Sequence, residues 1–188
     1  MIMGVAALAV SLAAPAKASF IGHEMTASYR FPNLGQVYAF SEWTPATFTV
    51  GAGVETVGDV EGVTRLDTDF SATSLVLTLT AILNTPTWNA AAFNGPVFAL
   101  TSGTLGVLSA TVSASTTMAG FDISRVAVTA NEIQLNWADL AYVDGTVIAI
   151  DFNFGETPVP EPGTLALVGL GLAGLFAARR RSTAASPS

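Results

Sequence analysis

Two-residue alternation of apolar and polar side chains is the feature that most narrows what this chain can become. From Thr146 to Phe154 it sets Ile148, Ile150, Phe152 and Phe154 on one side. Met25, Ala27, Tyr29 and Phe31 share a face in the same way, with Thr26, Ser28 and Arg30 opposite. Ser74 to Ile82 puts Leu75, Leu77, Leu79 and Ala81 on one side and Val76, Thr78, Thr80 and Ile82 on the other, which predicts a central strand. A period of two, with β-branched and aromatic residues, is the pattern of a strand and not of a helix.

Turn signals divide these runs. Asp144-Gly145 is a tight-turn dipeptide. Pro32-Asn33-Leu34-Gly35 and Asn94-Gly95-Pro96 read as further turns. Thr129-Ala130-Asn131-Glu132 joins a hairpin whose arms carry Val126 and Val128, then Ile133, Leu135 and Trp137. Trp88 to Phe93 is short enough for a single helical turn, and Gly51 to Gly62 is either a strand pair or a flexible edge. Nine or ten short strands without an amphipathic helix predict an all-β, antiparallel β-sandwich, jelly-roll-like in topology.

The two ends are built differently. Gly4 to Ala14 is a short apolar stretch followed by Ala16-Lys17-Ala18, an A-x-A cleavage pattern. Residues 1–18 are therefore expected to be a signal peptide cut after Ala18. No Lys or Arg precedes the stretch, and Met1 to Met3 reads as an internal start with basic residues upstream. At the other end Gly163 to Ala178 carries no charge. As a helix it would span roughly 24 Å, a little short of a hydrocarbon core of about 30 Å. Pro160 and Pro162 place the helix start after them, and Arg179, Arg180 and Arg181 would hold its far end on the cytoplasmic side. Gly169 to Gly174 spells G-x-G-x-x-G, but it lies in the middle of this run with no strand before it and no acidic partner after it. A dinucleotide site is thereby excluded.

These end segments leave 19–157 as the body, 158–182 as a tail signal and 183–188 as a disordered tail. The body can bury a core without staples. It has none to use, because the chain lacks cysteine. Only Arg30, Arg65 and Arg125 face thirteen acids there, a net charge of about −10. Such a surface repels phosphate backbones, so no nucleic-acid partner is expected.

Val159-Pro160-Glu161-Pro162, the apolar run and Arg179-Arg180-Arg181, in that order, closely resemble the PEP-CTERM sorting domain of Gram-negative bacteria. The resemblance implies export, transient anchoring in the inner membrane and recognition by an exosortase. It also implies cleavage near Pro-Glu-Pro and delivery to the surface, often where exopolysaccharide is made. It says nothing about the body, which is expected to be a non-enzymatic surface or matrix protein associated with exopolysaccharide or biofilm.

Few body residues suggest chemistry. His23 is the single histidine, expected near a poorly ordered terminus, so no serine–histidine arrangement is expected. Asp59, Glu61, Asp67 and Asp69 are the best acidic cluster. Asp67 and Asp69 lie two apart on one strand face, and the four acids together are weak candidates for calcium, which needs six to eight oxygens; a solvated face is the plainer expectation, and no cofactor is assigned. Trp43, between Ser41-Glu42 and Thr44-Pro45, is expected in an exposed loop, where its ring would suit a carbohydrate-binding module. Trp137 is expected in the core; Trp88 fits either place. Carboxylate pairs would also suit a polysaccharide-acting hydrolase, but no motif supports that alternative.

Overall fold

The computed structural model describes residues 18–155 and, apart from them, Gly171. The expected signal peptide to Lys17, the sorting motif and helix, Arg179 to Arg181 and the last six residues lie outside these. Ala18 to Gly155 forms a compact unit of its own. Among the described residues no helix is long and apolar enough to cross a membrane.

Eleven strands make up the unit: β1 (Glu24–Arg30), β2 (Ser41–Thr44), β3 (Thr47–Thr49), β4 (Val54–Val60), β5 (Thr64–Phe70), β6 (Ser74–Ala81), β7 (Gly95–Leu100), β8 (Val107–Val112), β9 (Val126–Val128), β10 (Glu132–Leu135) and β11 (Thr146–Phe154). They form two sheets, in the orders β3-β1-β7-β10-β9 and β2-β4-β5-β6-β11-β8. Every strand pairing is antiparallel. The molecule is thus all-β and sandwich-like. Within residues 18–155 its one helical turn is the 3-10 segment Ile123–Arg125, capped by the Asp122 carboxylate.

Alternation decides which residues face the other sheet. On β5, Thr64, Leu66, Thr68 and Phe70 point inward, while Arg65, Asp67 and Asp69 point outward. Leu75, Leu77 and Leu79 of β6 and Ile148 and Ile150 of β11 are fully buried beside them. β6 lies between β5 and β11, as its two apolar faces predict. Met25, Tyr29, Phe98, Ile133 and Leu135 answer from the five-stranded sheet. Thr56, Thr64, Thr68 and Thr146 interrupt the apolar surface. The Thr56 hydroxyl donates to the Pro45 carbonyl at 2.6 Å, which offsets part of the cost of burying it.

The β9–β10 hairpin, the β11 strand and the turn at Asp144-Gly145 form where the pattern placed them. The turn at Pro32 to Gly35 forms too, with Gln36 N–H on the Asn33 carbonyl at 3.2 Å. The Gly51–Gly62 stretch resolves as β4 and its flanking turns.

Three expectations are corrected. Asn94-Gly95-Pro96 is not a turn: Gly95 and Pro96 open β7, opposite Arg30 and Tyr29. Glycine is needed there because a Cβ would lie 2.0 Å from the Leu135 carbonyl oxygen. Proline is tolerated because it sits at the strand's start. Trp88 to Phe93 makes no helical turn; Trp88 N–H bonds instead to the Leu140 carbonyl at 2.9 Å. The entry to the body is ordered, because Phe20 is fully buried and meets Phe70, Phe152 and Phe154 edge-on at 4.9–5.3 Å.

Candidate functional site

One end of the sandwich gathers a cluster of aromatic and polar side chains, among them Tyr29, Tyr38, Trp88, Asn94, Trp137 and Tyr142. Four connections converge there: residues 31–40, 61–63, 82–94 and 136–145. Backbone bonds tie them together. Phe93 N–H reaches the Pro32 carbonyl at 3.1 Å, Glu61 N–H the Phe40 carbonyl at 2.8 Å, and Tyr142 N–H the Pro86 carbonyl at 3.0 Å.

Within this end Trp88 stacks on Tyr142, with ring centroids 4.5 Å apart, and on Trp137 at 5.1 Å. Tyr29 stands at the centre of a hydrogen-bond chain. Its hydroxyl accepts from Trp137 Nε1 at 2.6 Å and donates to Asn94 Oδ1 at 2.7 Å. Asn94 in turn donates through Nδ2 to the Asn89 carbonyl at 2.9 Å and through its backbone N–H to Asn136 Oδ1 at 3.1 Å. The Tyr142 and Thr64 hydroxyls pair at 2.6 Å. A cavity of about 120 Å³ opens between Tyr29, Tyr38, Glu61, Trp88, Asn94 and Tyr142. Most of its polar groups already satisfy one another, so it is chiefly a polar seal inside an aromatic plug. The exception is the buried Trp88 indole N–H, which has no partner among the described residues.

Tyr38 and Glu61 close the outer side of the cavity by a hydrogen bond from the phenol to Oε1. Beyond them lies a shallower, open depression lined by Tyr38, Phe40, Ser41, Glu42, Asp59 and Glu61. Phe40 is 70% exposed there and meets Tyr38 edge-on at 5.6 Å. An exposed ring edged by three carboxylates can pack an apolar face and accept hydrogen bonds from donors around it.

The residues singled out by sequence are dispersed. Trp43 is not in an exposed loop. It lies on β2, 8% exposed, opposite Gly58 of β4. A Cβ on Gly58 would stand 2.9 Å from its ring, so the glycine makes room for the indole, which also meets Phe98 edge-on. Its face is therefore taken by the core. Trp88 and Trp137 are also buried. Asp67 and Asp69 do share the outer face of β5, but Asp67 is engaged by Arg65 at 2.7 Å. Asp59 accepts the Gly62 N–H at 2.7 Å, and Glu61 is bound to Tyr38. Among the described residues no three carboxylate or imidazole groups are placed to hold a metal ion. His23 precedes β1, at the end of the sandwich remote from the depression. Ala18 is the first described residue; Ala16, Val159 to Pro162 and Arg179 to Arg181 lie outside. Sequence reading missed Tyr38 and Phe40. Their only signal was two aromatic residues in a loop beside Glu42, and the register that brings Glu61 to them is invisible in one dimension.

Residues 158–181 match the model of the PEP-CTERM protein-sorting motif. This match identifies the tail as the sorting signal of an exosortase-targeted, exported protein. No curated protein and no solved structure matches the chain.

The tyrosines provide a test of the geometry. Glu61, by its hydrogen bond, holds Tyr38 at a pKa of about 12. Burial raises Tyr29 well above its ordinary value, and burial also raises Tyr142. A folded-state pKa above the unfolded value stabilises the fold fully below the unfolded pKa. That contribution is lost as pH rises through the folded one. The Tyr38 contribution should therefore hold up to about pH 10 and disappear towards 12. Ultraviolet titration of the native protein should show all three tyrosines ionising late, and Glu61→Gln should bring Tyr38 back towards 10. A full tyrosine step at its ordinary pH in the folded wild type would contradict the arrangement.

Proposed function

We propose that this chain is a non-enzymatic protein of the cell surface or extracellular matrix, processed by an exosortase and associated with exopolysaccharide or biofilm. The match at residues 158–181 carries the reading. In it, residues 1–18 act as a signal peptide and are removed. The apolar run at residues 163–178 anchors the chain transiently in the inner membrane. Arg179 to Arg181 stay on the cytoplasmic side while the exosortase acts near Pro160-Glu161-Pro162. The body then remains outside. Its freedom from cysteine suits a domain that folds without disulfide chemistry after export. Its large negative charge suits solubility in a hydrated matrix. We read the sandwich itself as jelly-roll-like, because the chain crosses repeatedly between sheets: at each step from β1 to β4, at each step from β6 to β9, and from β10 to β11.

A second reading, carbohydrate binding, draws on the exposed Phe40 ring with Glu42, Asp59 and Glu61 around it. Under it the platform is Phe40 and not Trp43, and the ligand is uncharged, since carboxylates line the depression.

Alanine in place of Pro160, Glu161 and Pro162 should leave the protein uncleaved and membrane-held, measured by mass and fractionation in an exosortase-positive host. Unchanged release would refute the sorting reading. For the second, neutral glycans on an array should retain the wild type, and Phe40→Ala should lose most of that signal, roughly tenfold or more. Binding indifferent to Phe40→Ala would remove this platform.

A further inference from the structure

We propose that β8 is a self-association edge, which pairs antiparallel with β8 of a second copy of this chain. This goes beyond the sorting reading and does not depend on it.

Each sheet has two edge strands: β3 and β9 in one, β2 and β8 in the other. Three of them are poor templates. β3 and β9 have only three residues each. β2 has four, carries Glu42 and runs into Pro45. β8 has six residues, Val-Leu-Ser-Ala-Thr-Val, with neither charge nor proline. Among the described residues its one strand partner is β11. The other row of backbone N–H and C=O groups is then open to a further strand.

Natural sheets usually blunt such an edge with lysine, proline, an inward charge or a bulge. Here only the bulge is present. The β8–β11 register slips between Asn153 and Phe154, which leaves Leu108 unpaired and 72% exposed. From Ser109 to Val112 the register is regular, and Ser113 N–H extends it to the Ala149 carbonyl at 2.8 Å. Ser109 and Thr111 point to solvent.

Charge selects the partner. Two copies of a body with net charge near −10 repel each other over most of their surface. Yet no charged residue occurs anywhere between Asp69 and Asp122, and β8 lies inside that neutral stretch. The nearest acid across the register is Asp151, opposite Thr111. A neutral, β-branched edge on an acidic body is where a second copy approaches at the lowest electrostatic cost. Pairing of like with like gives a two-fold contact, hence a closed dimer and not a filament.

The test uses the full chain in detergent, by sedimentation equilibrium. The wild type should form a reversible dimer. Ser109→Glu adds an exposed charge opposite neutral Asn153, and should weaken dimerisation about tenfold or more. Thr80→Glu, on the interior strand β6 facing Arg65, should leave it unchanged. Because the chain has no cysteine, Ser109→Cys should yield a disulfide-linked dimer on oxidation and Thr80→Cys should not. The cross-link decides the matter if circular dichroism shows that Ser109→Glu does not fold. A wild type that stays monomeric up to about 100 µM, a dimer indifferent to Ser109→Glu, or equal cross-linking at both positions would overturn the proposal.

Discussion

Everything in the body rests on the contact between two apolar sheet faces. Leu66, Leu75, Leu77, Leu79, Ile148 and Ile150 of one sheet meet Met25, Tyr29, Phe98, Ile133 and Leu135 of the other, all essentially removed from water. At about 1.5–3 kcal/mol for each large apolar side chain buried, this contact outweighs any single polar interaction in the molecule. Surface ion pairs add little: Arg65 and Asp67 are bound on the outer face of β5, where such pairs contribute about 0–1 kcal/mol. Without disulfides, the two faces must also fix the loops. They do so through aromatic residues at each end: Phe20 with Phe70, Phe152 and Phe154 at one, Trp88 with Tyr142 and Trp137 at the other.

Much of this was legible in the sequence, for a physical reason. A half-buried strand writes its environment into consecutive residues, so β1, β6, β10 and β11 could be read from their own alternation. β7 could not. Five of its six residues are buried, so it shows no alternation, and its Gly95-Pro96 start mimics a turn. Trp43 misled for a related reason. Its neighbours are polar, but the space it fills is made by Gly58, fifteen residues away and adjacent only through the β2–β4 register. The depression around Phe40 depends on the same kind of pairing, since Glu61 reaches Tyr38 only after β4 returns past β2.

Charge ties the body to the tail. The acids lie before Phe70 or after Phe121, on outward positions and turns, and they keep most of the surface hydrated and self-repelling. The middle of the chain supplies uncharged strands, and one of them, β8, ends up at an edge. On the proposed pairing, β8 is the edge where approach of a second copy meets the least charge. The sorting signal is separate in sequence and in chemistry: an apolar run and three arginines, attached after β11.

We propose that the sandwich is closed by its own two faces, independently of the tail, which serves as a sorting address. Hydrogen exchange measured by mass spectrometry tests this directly, on the chain from Ser19 to Ser188 in detergent and on the chain ending at Thr157. The slowest amides should fall in β1, β7, β6 and β11 and should exchange at the same rates in both. Faster exchange in β11 and β6 once the tail is gone would contradict the claim.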